Sequence, residues 1–89
     1  MIDNLKTCLF GGYDKMQTLK FVDKLTSEVY MLETALGNKK RGDRYIIPTE
    51  TEDVRLKNAA VGGFSKTDVD MFVDDLKAKI SELRGKLNG

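Results

Sequence analysis

Residues Phe10–Leu36 read FGGYDKMQTLKFVDKLTSEVYMLETAL, and most of this stretch returns fifty-one residues later, at Val61–Leu87, as VGGFSKTDVDMFVDDLKAKISELRGKL. The chain is therefore a tandem repeat, and we call this fifty-one-residue spacing the repeat offset. Two copies are too few for a solenoid, in which each repeat is buried between neighbours on both sides. We expect the two copies to bury their apolar faces against each other.

Length and composition set limits on the class of protein. The 89 residues make one domain, 1–89, which we divide into a first repeat, 1–36, a basic connector, 37–50, and a second repeat, 51–89. A domain of this size is near the lower limit at which a single core is stable. The formal net charge of +1 creates no overall field for nucleic acid, so no nucleic-acid partner is expected.

The composition also argues against metal sites, secretion and membrane insertion. One Cys and no His exclude an intrachain disulfide and an ordinary zinc site, so we expect no metal and no cofactor. The N-terminal residues lack the apolar core of a signal peptide, and no run is long enough to span a bilayer. The sequence therefore predicts a cytoplasmic location.

Each copy carries a helix-start signal just after its glycine pair. Asp14 is followed three residues later by Gln17, and Ser65 is followed three residues later by Asp68. This is the spacing of a capping box, in which two side chains satisfy the free amides of the first helical turn. The sequence predicts long helices that begin near Asp14 and Ser65.

Short apolar patterns at the start of each copy predict lid helices. Residues 1–9 have a brief helical spacing, and Thr49 with Glu52 can cap a matching helix that extends through Ala60. We expect both lids to cover one end of the domain. Cys8, in the first lid, should pack as a small apolar group.

In both long helices the apolar residues recur in alternating steps of three and four. β-branched residues at position a and leucines at position d favour a parallel two-stranded coiled coil. An amphipathic helix in a mixed bundle is the alternative, because each helix carries fewer than three heptads. The seam residues are Val22, Leu25, Val29, Leu32 and Leu36 in the first copy, and Val73, Leu76, Ile80, Leu83 and Leu87 in the second.

The charges beside the seam predict which helices pair. Glu28 and Glu33 flank the first seam, whereas Lys79 and Arg84 flank the second. Like charges would oppose each other if either helix paired with its own copy. Pairing the first helix with the second sets Glu28 against Arg84 and Glu33 against Lys79, each worth roughly 0.2–0.5 kcal/mol at an exposed position. We expect a monomeric pseudo-dimer, with a domain-swapped dimer as the alternative.

The connector is basic and then briefly apolar. Gly37 and Asn38 predict the end of the first helix, and Tyr45–Ile47 are expected to pack on the seam or to form a short edge strand. Its fourteen residues can extend roughly 45–50 Å, enough to return along the helix pair. Arg41–Asp43 spells an adhesion tripeptide, which we interpret as a turn.

The repeat contains an ordered motif of an apolar residue, a glycine and an aromatic residue, followed by a cap, a Phe-Val-Asp triplet and heptads. In this order it resembles the N-terminal domain of the DivIVA and GpsB family. The resemblance implies an all-α fold, in which two tandem units of lid helix, glycine loop and long helix pair as a parallel two-stranded coiled-coil pseudo-dimer. The matching residues are Phe10, Gly12, Tyr13, Thr18, Phe21, Val22 and Asp23, then Val61, Gly63, Phe64, Val69, Phe72, Val73 and Asp74.

The resemblance implies a bacterial cytoplasmic scaffold or adaptor that binds cell-division or cell-envelope proteins. Adaptor members hold an Arg-bearing peptide, from a partner's cytoplasmic tail, in an acidic groove beside the motif aromatic. This groove maps onto Phe64, Asp70 and Asp74, with Tyr13 and Asp23 as a less complete counterpart. Two carboxylates one helical turn apart can bind a guanidinium. The alternative is that Asp70 and Asp74 belong to an ordinary solvent-exposed face of the helix and bind no partner.

A peripheral membrane-binding module is the alternative function. Membrane-binding members insert a loop-tip aromatic residue, which maps onto Phe10 and, as an aliphatic residue, Val61. The neighbouring Arg of those members is replaced by Gly11 and Gly62. The sequence contains no convergent acid-base set, so we do not expect an enzyme. The alternative role for Phe10 and Val61 is to close the end of the core. Four nearby lysines could attract an anionic membrane surface in place of the missing Arg: Lys6, Lys15, Lys57 and Lys66.

Overall fold

A computed structural model describes residues 5–89, in which two α-helices carry the fold. Helix α1 spans Lys15–Arg41 and helix α2 spans Lys66–Asn88, with no β-strand in the described part of the chain. The helices pack along each other in a body of 50 × 18 × 18 Å. The expected all-α class is confirmed.

Both helices begin at the predicted caps. Asp14 Oδ1 accepts a hydrogen bond from Gln17 N at 3.1 Å, and Ser65 Oγ accepts one from Asp68 N at 3.4 Å. Each bond satisfies an amide that the first helical turn leaves free. The sequence signal for these starts is local, which is why it can be read without the fold.

The C-terminal end of α1 lies beyond the prediction. The helix continues to Arg41, so the expectation that the connector begins at Gly37 was wrong. Gly42 ends the helix instead: its φ is 77°, and its amide donates to Lys39 O at 3.1 Å. Glycine is favoured in this left-handed conformation, and the basic side chains of the last turn interact favourably with the helix dipole. The adhesion-like tripeptide is part of this helix-ending turn.

The interface between the helices consists of two apolar clusters. At its centre, Val22 is 1% exposed and Leu32 is fully buried. Thr18 and Val69, which are related by the repeat offset, are also fully buried at the start of the interface. All ten seam residues lie in these clusters or against them. Val22, Leu25, Leu32, Val73, Leu83 and Leu87 are buried, and Val29, Leu36, Leu76 and Ile80 are partly buried.

The predicted lid helices are absent from the described residues. Residues 49–60 are extended, and residues 5–9 contain no helical turn, whereas residues 1–4 of the first lid lie outside the described range. A helix of one or two turns is costly to nucleate. Several amides of this backbone bond to the other copy instead. Leu5 still covers the core at 9% exposure, and Cys8 is half-buried.

Because α1 ends at Arg41, the connector is redefined from here on as the non-helical segment from Gly42 to Ser65, which returns along the helix pair. Midway, Thr51 N donates to Glu28 Oε1 at 2.8 Å. Tyr45–Ile47 do not pack on the seam, because they lie beside α1 and Ile46 is 86% exposed. The part of the connector that lies near the seam is the stretch 48–53, which contacts the charged side chains of Glu28, Arg84 and Lys77.

The two predicted charge pairs differ in their surroundings. Arg84 Nη2 lies 2.7 Å from Glu28 Oε2, and these side chains are only 16% and 4% exposed. The expectation of an exposed pair was wrong here because the connector covers it. Glu33 and Lys79 remain exposed, and no ion pair joins them within residues 5–89.

Candidate functional site

At the glycine end, formed by residues 5–14 and 57–65, the two copies exchange backbone hydrogen bonds. Tyr13 N donates to Phe64 O at 2.9 Å, and Phe64 N donates to Tyr13 O at 3.0 Å. The flanking bonds come in pairs whose donors and acceptors are both related by the repeat offset. They join Cys8 N to Gly63 O, Ala59 N to Gly12 O, Ser65 N to Lys6 O and Asp14 N to Lys57 O, at 2.6–2.8 Å.

The two glycines of each pair have separate roles. A Cβ on Gly12 or Gly63 would lie 2.6 Å or 2.5 Å from the carbonyl oxygen of the aromatic residue in the other copy, so only glycine allows this approach. Gly11 and Gly62 have open space around them but φ values of 74° and 75°, a conformation that favours glycine. One glycine therefore permits close contact, and the other permits the turn.

The third residue of each helix connects the copies in a way that sequence reasoning missed. Gln17 Oε1 accepts from Lys57 N at 2.6 Å, and Asp68 Oδ2 accepts from Lys6 N at 3.1 Å. The capping-box spacing predicts that the side chains of Gln17 and Asp68 close on their own helix, whereas both bond to the other copy. The cap amide Asp14 N is already bonded to the opposite copy, which leaves the Gln17 side chain free to do the same.

One acidic groove is built from both copies. Tyr13 OH donates to Asp70 Oδ1 at 2.9 Å, and Asp74 lies one turn further along α2. Tyr13, Asp70 and Asp74 line a groove of about 450 Å³, which we call the cross-copy groove. Its aromatic residue is therefore Tyr13, although the resemblance placed Phe64 beside these carboxylates. Phe64 is instead buried in the core, at 9% exposure.

The electrostatics of the cross-copy groove keep Tyr13 neutral. The hydrogen bond to Asp70 raises the pKa of Tyr13, and burial and the negative charge of Asp70 raise it further. Arg55 and Lys77 line the same groove, and Lys77 Nζ pairs with Asp53 at 2.6 Å. Within residues 5–89 no ion pair joins Asp70 or Asp74 to a cation, so both carboxylates remain available to a ligand.

The counterpart groove is not formed. Asp23 lies on the outer side of α1, in a groove that it shares with Met31, Glu50 and Glu52. Neither Tyr13 nor Phe64 lines that groove, so Asp23 is not paired there with the aromatic residue that follows either glycine pair. Of the five residues assigned to partner binding, three come together.

The loop tips at the glycine end carry exposed apolar side chains. Leu9, Phe10 and Val61 are 78%, 76% and 69% exposed, so the alternative that Phe10 and Val61 close the core is wrong. Two lysines beside the tips are held over aromatic rings of the other copy. Lys15 Nζ lies 5.6 Å from the Phe64 ring centroid, and Lys66 Nζ lies 5.5 Å from that of Tyr13.

No protein-family model, curated protein or solved structure matches the chain. Neither α1 nor α2, the helices of the described range, has an apolar stretch long enough to cross a membrane. The candidate sites rest on their own geometry, which is an acidic groove across the copies and a set of exposed apolar tips.

Proposed function

We propose that the chain is a non-enzymatic scaffold or adaptor module of the DivIVA and GpsB type, acting in the bacterial cytoplasm on cell-division or cell-envelope proteins. In this proposal two fused repeats form a parallel two-stranded coiled-coil pseudo-dimer within one polypeptide. The paired hydrogen bonds at the glycine end support it, because their partners are related by the repeat offset.

Contacts along the helices also support the parallel arrangement. The N-terminal ends meet through Tyr13 and Phe64, and the middle meets through Glu28 and Arg84. At the C-terminal ends, the Lys39 ammonium donates to Leu87 O at 2.8 Å. Contacts that join start to start and end to end are those expected of helices that run in the same direction.

The proposed ligand of the cross-copy groove is an Arg-bearing peptide from a partner's cytoplasmic tail. The single observation that carries this is the Tyr13–Asp70 hydrogen bond, which fixes an aromatic ring beside two carboxylates. A guanidinium can stack on a ring face while it donates to carboxylate oxygens in its plane. Lysine lacks this planar fork and should bind less well.

Peptide binding can be tested by fluorescence anisotropy with a labelled peptide that contains one Arg, and with the same peptide carrying citrulline. We expect Asp74→Asn to weaken binding about tenfold or more, the cost of losing a charged hydrogen bond. Asp75→Asn is the matched control, because Asp75 is exposed on α2 but does not line the groove. Equal effects of the two variants, or equal binding of the citrulline peptide, would contradict the proposal.

The pseudo-dimer can be tested by crosslinking. In a Cys8→Ala background, cysteines at Leu25 and Leu76 should form an intrachain disulfide on oxidation, because Leu25 belongs to a core cluster against which Leu76 packs. A covalent dimer instead would identify the domain-swapped arrangement. A cysteine pair at Leu25 and Leu87 is the control for an antiparallel register and should remain reduced.

A second candidate function is binding to an anionic membrane surface, which is favoured by the exposure of the loop tips. Burying a side chain such as Phe10 in the bilayer interface gains about 1.5–3 kcal/mol, and nearby lysines add attraction to anionic lipids. We expect flotation with phosphatidylserine vesicles to be lost in the double variant Phe10→Ser, Val61→Ser. Met71→Ser, which changes an exposed residue of α2, should float normally. Flotation that survives the double variant would count against the tips.

A further inference from the structure

An apolar strip lies on the outer flank of α1, beside the returning connector. We define it by Tyr30, Met31, Tyr45, Ile46 and Ile47, which are 71%, 48%, 38%, 86% and 42% exposed. The first four line one groove of about 910 Å³. A contiguous exposed apolar surface of this kind marks an interaction site more often than isolated exposed residues do.

The strip has no counterpart on the second copy. The residues related to Tyr30 and Met31 by the repeat offset are Ser81 and Glu82, which are exposed and polar. Packing of α1 on α2 does not explain the strip either, because its residues lie outside the two core clusters. An apolar surface that neither the core nor the repeat requires indicates a separate contact.

Charges of opposite sign lie at the two ends of the strip. Toward the start of α1, the groove that contains Met31 is also lined by Asp23, Glu50 and Glu52. Toward the end of α1, exposed Lys40, Arg41 and Arg44 follow, and Arg44 lines the apolar groove itself. Lys24 at the acidic end and Asp43 at the basic end each offset one charge. Glu50 also lies 3.9 Å from Arg84 Nε, but Glu28 already neutralises that cation, so two net charges of each sign remain.

The two charged ends are too far apart to neutralise each other within one chain. Asp23 and Arg41 are separated by about 27 Å along α1, at ~1.5 Å per residue. The screening length at physiological salt is only about 8 Å. Each end is therefore available to an opposite charge on another molecule.

We propose that the apolar strip is the contact face for a second copy of the chain, in an antiparallel and twofold-symmetric dimer. In this arrangement the acidic end of one copy meets the basic end of the other, and the apolar residues of both copies meet between them. Met31 lies closest to the axis because it belongs to both grooves. A parallel arrangement would oppose like charges at both ends.

The available area predicts a weak dimer. A face about 27 Å long on a body 18 Å wide offers about 500 Å² per partner, below the ~800 Å² of a standard interface. We expect a dissociation constant in the micromolar to millimolar range, and weaker association as salt is added. Such a dimer would point its two glycine ends in opposite directions, so that both cross-copy grooves stay open.

Sedimentation equilibrium over a range of concentrations tests the proposal. The chain should self-associate at low salt, and Ile46→Asp should make it monomeric while its circular dichroism stays unchanged. Met71→Asp is the matched control: Met71 is 62% exposed on α2, away from the strip, and its replacement should not affect association. A chain that is monomeric at every concentration overturns the proposal, and so does equal loss in both variants.

Charge reversal tests the antiparallel arrangement. Glu52→Arg alone and Arg44→Glu alone should each weaken the dimer several-fold, because like charges then meet at both ends. An equimolar mixture of the two variants should recover association, because a mixed pair sets opposite charges against each other at both ends. The double variant, with both changes in one chain, should recover the affinity. Failure of the double variant to recover contradicts this arrangement.

Crosslinking separates this dimer from a domain swap. In a Cys8→Ala background, Met31→Cys should give a disulfide-linked dimer, because a residue near a twofold axis meets its own copy. A dimer that persists in Ile46→Asp and crosslinks between chains through cysteines at Leu25 and Leu76 would be a domain swap, and would overturn the proposal. The proposal would also be overturned if the unmodified chain did not self-associate but Ile46→Asp abolished its flotation with vesicles. In that case the strip would contact a membrane and not a second copy of the chain.

Discussion

The two flanks of the helix pair carry equivalent charges but bury them differently. On the covered flank, beneath the connector, Glu28 and Arg84 form an ion pair whose side chains are 4% and 16% exposed. On the open flank, Lys79 and Glu33 stand at the positions related to these by the repeat offset, and both are exposed. The connector is the structural difference between the flanks.

The comparison shows that the connector does more than join two helices. Thr51 N donates to Glu28 Oε1 at 2.8 Å, and Arg84 Nη2 donates to Pro48 O at 2.8 Å. Backbone groups of the connector thus satisfy both members of the pair that it removes from water. Burying charges without such partners would cost several kcal/mol per ion.

The pKa of Glu28 reflects the same balance. Burial raises the pKa of this carboxyl group, but the hydrogen bonds from Thr51 and then the bonds and charge of Arg84 outweigh it, so that the net pKa is lowered. The charged form of Glu28 is therefore the form that the covered flank stabilises.

The largest expected effect is the loss of Arg84. Arg84→Ala should destabilise the fold by about 3–5 kcal/mol, because it leaves Glu28 buried without its cation. Lys79→Ala is the matched control on the open flank and should change the free energy of unfolding by less than about 0.5 kcal/mol. Urea denaturation measures both. Similar small effects would mean that the connector does not isolate the covered pair from solvent.

A smaller effect should appear on acidification. Since the folded-state pKa of Glu28 is lowered, its contribution to stability is fully present above the pKa of the unfolded state and is lost as the pH falls through the pKa of the folded state. Glu28→Gln should therefore flatten the pH dependence of the melting temperature in the acid range. Glu33→Gln is the open-flank control and should not flatten the plot of melting temperature against pH. Equal flattening by the two variants would contradict the difference between the covered and open flanks.

The smallest effect should come from reversing a charge on the open flank. Glu33→Lys should cost roughly 0.2–0.5 kcal/mol at low salt, because it places a cation near Lys79 at an exposed position. The cost should fade in high salt, where the screening length shortens to about 3 Å. Glu28→Lys should remain strongly destabilising in the same salt. Denaturation of both variants at two salt concentrations checks this.

The helix starts were readable from the sequence because their signals are local. Asp14 and Ser65 bond to amides three residues away, so no knowledge of the fold is required. The apolar seam was readable for a similar reason, since heptad spacing depends only on helical geometry. The end of α1 was not, because both Gly37 and Gly42 are stop signals and only the observed turn distinguishes them.

The lids and the groove depended on contacts between the copies. Residues 5–9 have helical spacing, but their backbone bonds to residues more than fifty positions away. For the same reason, Tyr13 rather than Phe64 stands beside Asp70, since the two copies exchange backbone hydrogen bonds at the glycine end before the helices begin. The repeat itself could have indicated this placement. If two copies exchange backbone hydrogen bonds before their helices begin, the aromatic residue of each copy lies against the helix of the other.

The close approach of Gly12 and Gly63 bears on how the two halves of the chain can diverge. In a dimer of two identical polypeptides, one substitution at this glycine would introduce the backbone clash on both sides of the axis. In a single chain that carries both copies, one substitution introduces it once. At every other position, too, one substitution in this chain alters only one of the two copies. One copy can therefore acquire a residue that the other lacks. Asp70 faces Tyr13 while Leu19 occupies the related position of the first copy, an asymmetry that no pair of identical chains could encode.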